Sequence, residues 1–241
     1  MSSTLPDRIA FLSARWERLF LLTYSVDPDL LLPHLPPELE LDTIDGKAFV
    51  SLVAFDFLQT KVLGIPWPGY RNFPEINLRF YVRYPKDNRR GVVFIKEYVP
   101  KRLIAWLAKA LYNEPYKMAE MTSSWEEKPD HSILSHQLII NGKANSISVT
   151  LNNTPQVSSD DSLDHFFKEH SWGFGKSHRG SLLEYQVWHP IWKTLDIVDQ
   201  TIQWDFASVY GEKWAFLSHQ EPFHQAFALG SEIRVYPKTL L

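Results

Sequence analysis

The chain has 241 residues, 44% of them hydrophobic and 22% charged, which is enough apolar material for one full core and excludes an intrinsically disordered chain. Its formal net charge of −3 leaves no basic field to hold nucleic acid or an anionic membrane. Without a single cysteine it can form no disulfide, thiolate nucleophile or Cys-ligated metal site, a usage that suits a reducing cytoplasm.

The opening stretch "MSSTLPDRIAFLSARWERLFLLTY" lacks a signal-peptide layout, because Arg8, Arg15, Glu17 and Arg18 interrupt its apolar residues. No segment approaches the roughly 20 apolar residues of a membrane helix, so a soluble, cytoplasmic protein without a membrane partner is expected. Residues 15–26 read as a strand. Asp27 then caps a short helix, with Pro28 at its first position and Pro33 and Pro36 ending it. Asp45-Gly46 is a turn before a long apolar strand, which predicts a hairpin. "LGIPWPGYRNFP" has too much Pro and Gly for regular structure and reads as a loop.

"NFPEINLRFYVRY" alternates with period two. One side carries Ile76, Leu78, Phe80, Val82 and Tyr84; the other carries Glu75, Asn77, Arg79, Tyr81 and Arg83. A polar turn, "YPKDNRRG", leads into the strand "GVVFIKEYV". After Pro100 the period becomes helical through Leu103, Ile104, Leu107, Ala108, Leu111 and Tyr112, with Glu114, Tyr116 and Met118 ending the helix and starting a strand. Asn141-Gly142 joins two further strands in the strongest hairpin signal of the chain. "SSDDSLDHFFKEH" predicts a capped helix starting near Ser159, and the remainder reads as strand and turn.

Strands outnumber helices and do not alternate with them. One domain over residues 1–241 is expected, mainly β, an antiparallel barrel or sandwich with peripheral helices. The 9 Trp, 15 Phe and 10 Tyr suit a β core of large side chains, a share of them lining a pocket.

Few motifs carry chemistry. The pairs His131/His136, His165/His170 and His219/His224 are spaced by five, which does not put two metal ligands on one helix face. There is no H-E-x-x-H, G-x-S-x-G, P-loop or G-x-G-x-x-G, so no metal and no cofactor is expected. The polar strand face remains. It is either a wet outer surface or the wall of an internal cavity. Arg, Tyr and Asn in alternation suit fixed, directional hydrogen bonds, and a barrel turns every second residue inward.

"FPEINLRFYVRY", "GVVFIKEYVPKRLIAW", "LYNEPYKMAEM", "VWHPIW" and "GSEIRVYP", in order along the chain, resemble the YqjF-like family of uncharacterised conserved proteins. The resemblance implies a fold similar to acetoacetate decarboxylase, a curved antiparallel barrel around a buried polar pocket. Decarboxylases of that kind form a Schiff base on a lysine in a Pro-Lys-Lys segment, with a glutamate on an earlier strand. By resemblance the matching residues are Lys101 in Pro100-Lys101-Arg102 and Glu75. Arg102 stands where the second lysine would be, able to repel Lys101 but not to exchange a proton. Lys96 is the weaker alternative, and His189, between Trp188 and Trp192, is either a pocket acid/base or a core imidazole.

The expected site therefore has Lys101 and Glu75 as catalytic groups. Asn77, Arg79, Tyr81, Arg83, Arg102 and His189 are the expected ligand contacts. Arginines in such a pocket favour an anionic small molecule. A decarboxylase-like enzyme for a small keto-acid or carbonyl compound, a non-catalytic carboxylate sensor, and an interaction domain docking through Trp67 all stay open, as does homo-oligomerisation.

Overall fold

The computed structural model describes residues 8–106 and 113–241. Most of these are strand. A ten-stranded sheet, counted among the described residues, contains β1 (Leu12–Val26), β2 (Glu40–Leu41), β3 (Ala48–Val62), β4 (Phe73–Tyr84), β5 (Arg89–Val99) and β6 (Tyr116–Met118). Its other members are β10 (Trp172–Lys176), β11 (Leu182–Trp188), β13 (His224–Val235) and β14 (Thr239–Leu240). The second sheet has the order β12 (Ile197–Gln203), β9 (Lys143–Asn152), β8 (His131–Ile140) and β7 (Glu120–Glu127). Among the described residues, α-helical segments accompany them: α1 at 102–106, α2 (Leu163–Lys168) and α3 (Phe206–Tyr210).

The large sheet is mixed, which corrects the antiparallel expectation. β5 runs parallel to both β6 and β10. Both pairings follow long connections, and a chain that passes through a helix before returning can re-enter a sheet in the same direction. β5 also pairs with β4, so the ladder runs from β4 through β3, β1, β13, β11, β10 and β5 back to β4.

Alternate residues of the long strands enter two separate cores. Phe20 and Leu22 of β1, Leu52 and Ala54 of β3, and Leu78 and Phe80 of β4 pack with Leu134, Ile147 and Val149 of the second sheet. Leu19 and Leu21, Val53 and Phe55, and Tyr81 face the other side, where Phe167 of α2 and Ala105 of α1 close over them. Because both faces are covered, these strands need no wet side, and burying one Phe such as Phe80 stabilises by roughly 1.5–3 kcal/mol.

Local signals in the sequence map onto local structure. The Asp27 carboxylate accepts from the Asp29 amide and caps the 3-10 turn Pro28–Leu30. Asn141 and Gly142 take φ of 50° and 75°, the twisted two-residue turn that joins β8 to β9. Asp45 and Gly46 form a similar turn closed by an Ile44–Lys47 bridge, but the predicted hairpin does not extend from it. β2 pairs with β4, while β3 lies between β1 and β4. The helix expected near Ser159 begins at Leu163 behind the Ser162 cap, whose hydroxyl accepts from the His165 amide. Phe206–Tyr210, read from sequence as strand and turn, is α3, capped by Asp205. Of the helix expected after Pro100, Leu107, Ala108, Leu111 and Tyr112 lie outside the described residues.

Candidate functional site

On β4, Glu75 and Asn77 are 2% exposed and point, with Arg79, into a cavity of about 490 Å³. Their strand neighbours Ile76 and Leu78 are fully buried in the opposite core, so the pleat decides which side each residue serves. Glu75 is held at both oxygens: Asn77 Nδ2 donates to Oε1 at 3.0 Å and the Tyr116 hydroxyl to Oε2 at 2.8 Å.

Two further carboxyls, Glu97 of β5 and Glu114 before β6, line the same cavity and are buried. The Tyr185 hydroxyl on β11 donates to Glu114 Oε1 at 2.9 Å. Glu97 lies beside Glu114 and Tyr116, so the protonation of these groups is coupled. Burial pushes the Glu75 carboxyl up to about 7 and that of Glu114 to about 8. Glu97 is driven well above the carboxylate range by burial and then by its acidic neighbours. The cluster titrates as a unit, and near neutral pH much of it is carboxylic acid able to donate hydrogen bonds.

A β-bulge aims Glu97 inward. β4 and β5 pair as Asn77↔Glu97 and Leu78↔Lys96, then jump to Arg79↔Phe94, leaving Ile95 as the extra residue. Phe94 and Glu97 therefore share the cavity side. Lys96 turns to the other face, where its Nζ donates to the Val209 carbonyl at 2.7 Å. Gly173 of β10 supplies the remaining fit, because a Cβ there would run into the ring and hydroxyl of Tyr185.

Of the other expected site residues, Arg79 alone lines the cavity. Tyr81 is buried on the cavity side of β4 but behind the lining; its hydroxyl meets Ser51 Oγ at 2.5 Å and Ser51 meets Thr23 at 2.6 Å. Arg79 donates to the Phe167 carbonyl at 3.2 Å while reaching the cavity. Arg83, at the far end of the strand, is exposed and bonds Glu40 and Asn88. Arg102 is exposed on α1. Lys101 is half-buried and accepts the Ala105 amide at its carbonyl; Leu103 and Ile104 of that turn line the cavity, Lys101 does not. His189 is a core imidazole, stacked on Trp192 at 4.0 Å with Nδ1 2.9 Å from the Pro190 carbonyl. Burial pushes it below its ordinary value.

Glu97, Glu114, Tyr116, Tyr185 and His170 were missed as cavity residues. The Lys96-Glu97 pair inside the otherwise apolar run "GVVFIKEYV" was the available signal. Plain alternation would have given Glu97 the face opposite Phe94, and only the bulge reverses that.

The profile of the DUF2071 family, described as "Uncharacterized conserved protein (COG2071)", matches residues 13–232. The chain belongs to this family. A relative, "Uncharacterized protein YqjF" of Bacillus subtilis (strain 168), is 29% identical over 192 residues, covering 78% of this chain and 77% of its own. Among solved structures, an acetoacetate decarboxylase-like enzyme from Sphingomonas wittichii RW1 is similar at TM-score 0.66 and 15% identity, covering 100% of this chain and 96% of that one. Acetoacetate decarboxylase from Legionella pneumophila is similar at 0.62 and 15%, over 100% and 92%. Enduracididine biosynthesis enzyme MppR complexed with pyruvate is similar at 0.66 and 14%, over 100% and 97%. At these identities the family member shares the fold of the decarboxylase-like enzymes.

Proposed function

We propose that this family member acts on a carbonyl compound by general acid–base chemistry inside the cavity, with the Glu75–Glu97–Glu114 cluster as its proton-handling group. The observation that carries the reading is three buried carboxyls with raised proton affinities facing one cavity. The decarboxylase-like neighbours, one of them complexed with pyruvate, lend support by analogy of fold.

In this scheme the Glu75 carboxylate, fixed by Asn77 and Tyr116, takes a proton from the carbon next to the carbonyl. The acid form of Glu97 or Glu114 gives a proton to the carbonyl oxygen as the enol forms. Reversal returns a solvent-derived proton to carbon. Donors matched to a developing oxyanion in a dry site contribute most of such catalysis.

The lysine version, with Lys101 as Schiff-base nucleophile, requires an amine at the carbonyl. Among the described residues no lysine lines the cavity, which favours the carboxyls. A non-catalytic carboxylate-binding module is the second reading, favoured by Arg79 at the cavity wall.

Deuterium exchange next to a ketone carbonyl, followed by mass spectrometry with and without borohydride, separates the three. The proposal expects exchange that falls at least a hundredfold in Glu75→Gln, with no lysine adduct. A borohydride adduct on Lys101 would replace the carboxyl scheme with the lysine one. Binding without exchange would leave the sensing module.

A further inference from the structure

The walls of the cavity say more about its occupant than the acid cluster does. Trp16, Phe55, Phe57 and Phe73 form a continuous aromatic surface, with Trp16 5.3 Å from Phe55 and 5.7 Å from Phe57, and Phe57 stacked on Phe73 at 4.8 Å. Phe94 and Trp172 add to the lining. Leu63 and Trp67, on the loop between β3 and β4, line the cavity and are also 65% and 49% exposed, so it meets solvent along an apolar rim.

Cationic help for an acid is scarce. Among the described lining residues the basic groups are Arg79 and His170. Arg79 donates to the Phe167 carbonyl, and His170 is kept neutral by burial, its proton affinity pushed down to about 4. A carboxylate brought inside would face three carboxyls and lose its hydration, a cost that a single guanidinium, with Nη2 already on the Phe167 carbonyl, offsets poorly. A carbonyl or hydroxyl oxygen would meet donors in the acid forms of Glu97 and Glu114.

We infer that the molecule this cavity accepts is predominantly apolar, a medium-chain or aromatic ketone or aldehyde with one neutral oxygen, and not a small keto-acid. The volume of about 490 Å³ falls in the range of drug-sized ligands, far beyond what a three- or four-carbon acid fills. This assignment deepens the acid–base reading and rests on it for the role of the oxygen.

The test uses the full chain and a neutral fluorescent probe, N-phenyl-1-naphthylamine, displaced by methyl ketones from butan-2-one to decan-2-one, by decanoate and by pyruvate at pH 7. The expected result is probe uptake and displacement that tightens about three- to fourfold per added methylene. Decanoate should bind at least tenfold more weakly than decan-2-one, and pyruvate should not displace. Val92→Trp, which fills the cavity, should abolish uptake; Val187→Trp gives the same reading if the first variant does not fold. Pyruvate or decanoate binding as tightly as decan-2-one, no dependence on chain length, or no probe uptake by the folded protein would each overturn the assignment. Long ketones that bind without deuterium exchange leave this assignment standing and remove the acid–base reading. Exchange on butan-2-one and pyruvate with no gain from chain length does the reverse.

Discussion

The carboxyl groups of Glu97 and Glu114 sit beside each other, buried in the wall of the cavity, although they come from different segments of the chain. Two buried carboxyls in contact cannot both ionise, so one must keep its proton. Glu114 also accepts from the Tyr185 hydroxyl at its Oε1.

Stability should fall as pH rises through this cluster. Each folded-state proton affinity is raised above the unfolded value, so the favourable contribution is complete below about pH 4.3 and disappears as pH rises toward 8. Glu97→Gln keeps the shape but cannot ionise. Urea unfolding across pH 5 to 9 should show a flatter profile for the variant and a gain of about 1–3 kcal/mol at pH 9. An unchanged slope would place ionised carboxylates in this wall.

The acid limb should belong to histidines. Burial pushes His136 down to about 3 and His170 to about 4, and neither ring nitrogen of His136 has a hydrogen-bond partner among the described residues. A folded-state value below the unfolded one gives stability present above about pH 6.5 and lost as pH falls toward 4. His136→Leu should remove on the order of 2 kcal/mol of that loss, measured as thermal unfolding from pH 7 to 4.

Lys168 and Glu169 form an ion pair of 2.7 Å with both side chains buried, and Lys168 also donates to the Trp192 carbonyl at 3.0 Å. Removing one partner strands the other. Lys168→Met or Glu169→Leu alone should cost about 3–5 kcal/mol in denaturant unfolding, while the double variant should recover most of it. Equal costs for the single and double variants would rule out the pair as the source.

Gly173→Ala tests how tightly the cavity wall is built. The new methyl collides with Tyr185, which must swing away from Glu114. Overpacking of this kind costs about 1–3 kcal/mol. Because Glu114 also loses a donor, its proton affinity should rise, visible as an upward shift in the carboxyl titration followed by infrared spectroscopy.

The polar face of "FPEINLRFYVRY" was legible from alternation alone, because a strand cannot place neighbours on one side. Which side was wet was not. Glu75, Asn77 and Arg79 reach the cavity, whereas Arg83, on the same face, ends in solvent because the strand runs out from under its cover. The Pro-Lys-Arg segment drew attention to Lys101, yet its turn presents Leu103 and Ile104 to the cavity.

The sequence by itself determined the strand-rich class, the Asn141-Gly142 turn, the cap at Asp27 and the division of β4 into a polar and an apolar face, since each depends on neighbours a few residues apart. Only the tertiary structure decided that β5 runs parallel to β6 and β10, and that Glu75, Glu97, Glu114 and Tyr185 converge. Those outcomes depend on one extra residue, Ile95, and on strand pairings between distant segments. A bulge shifts the facing of every residue after it, and local periodicity contains no record of where that shift occurs.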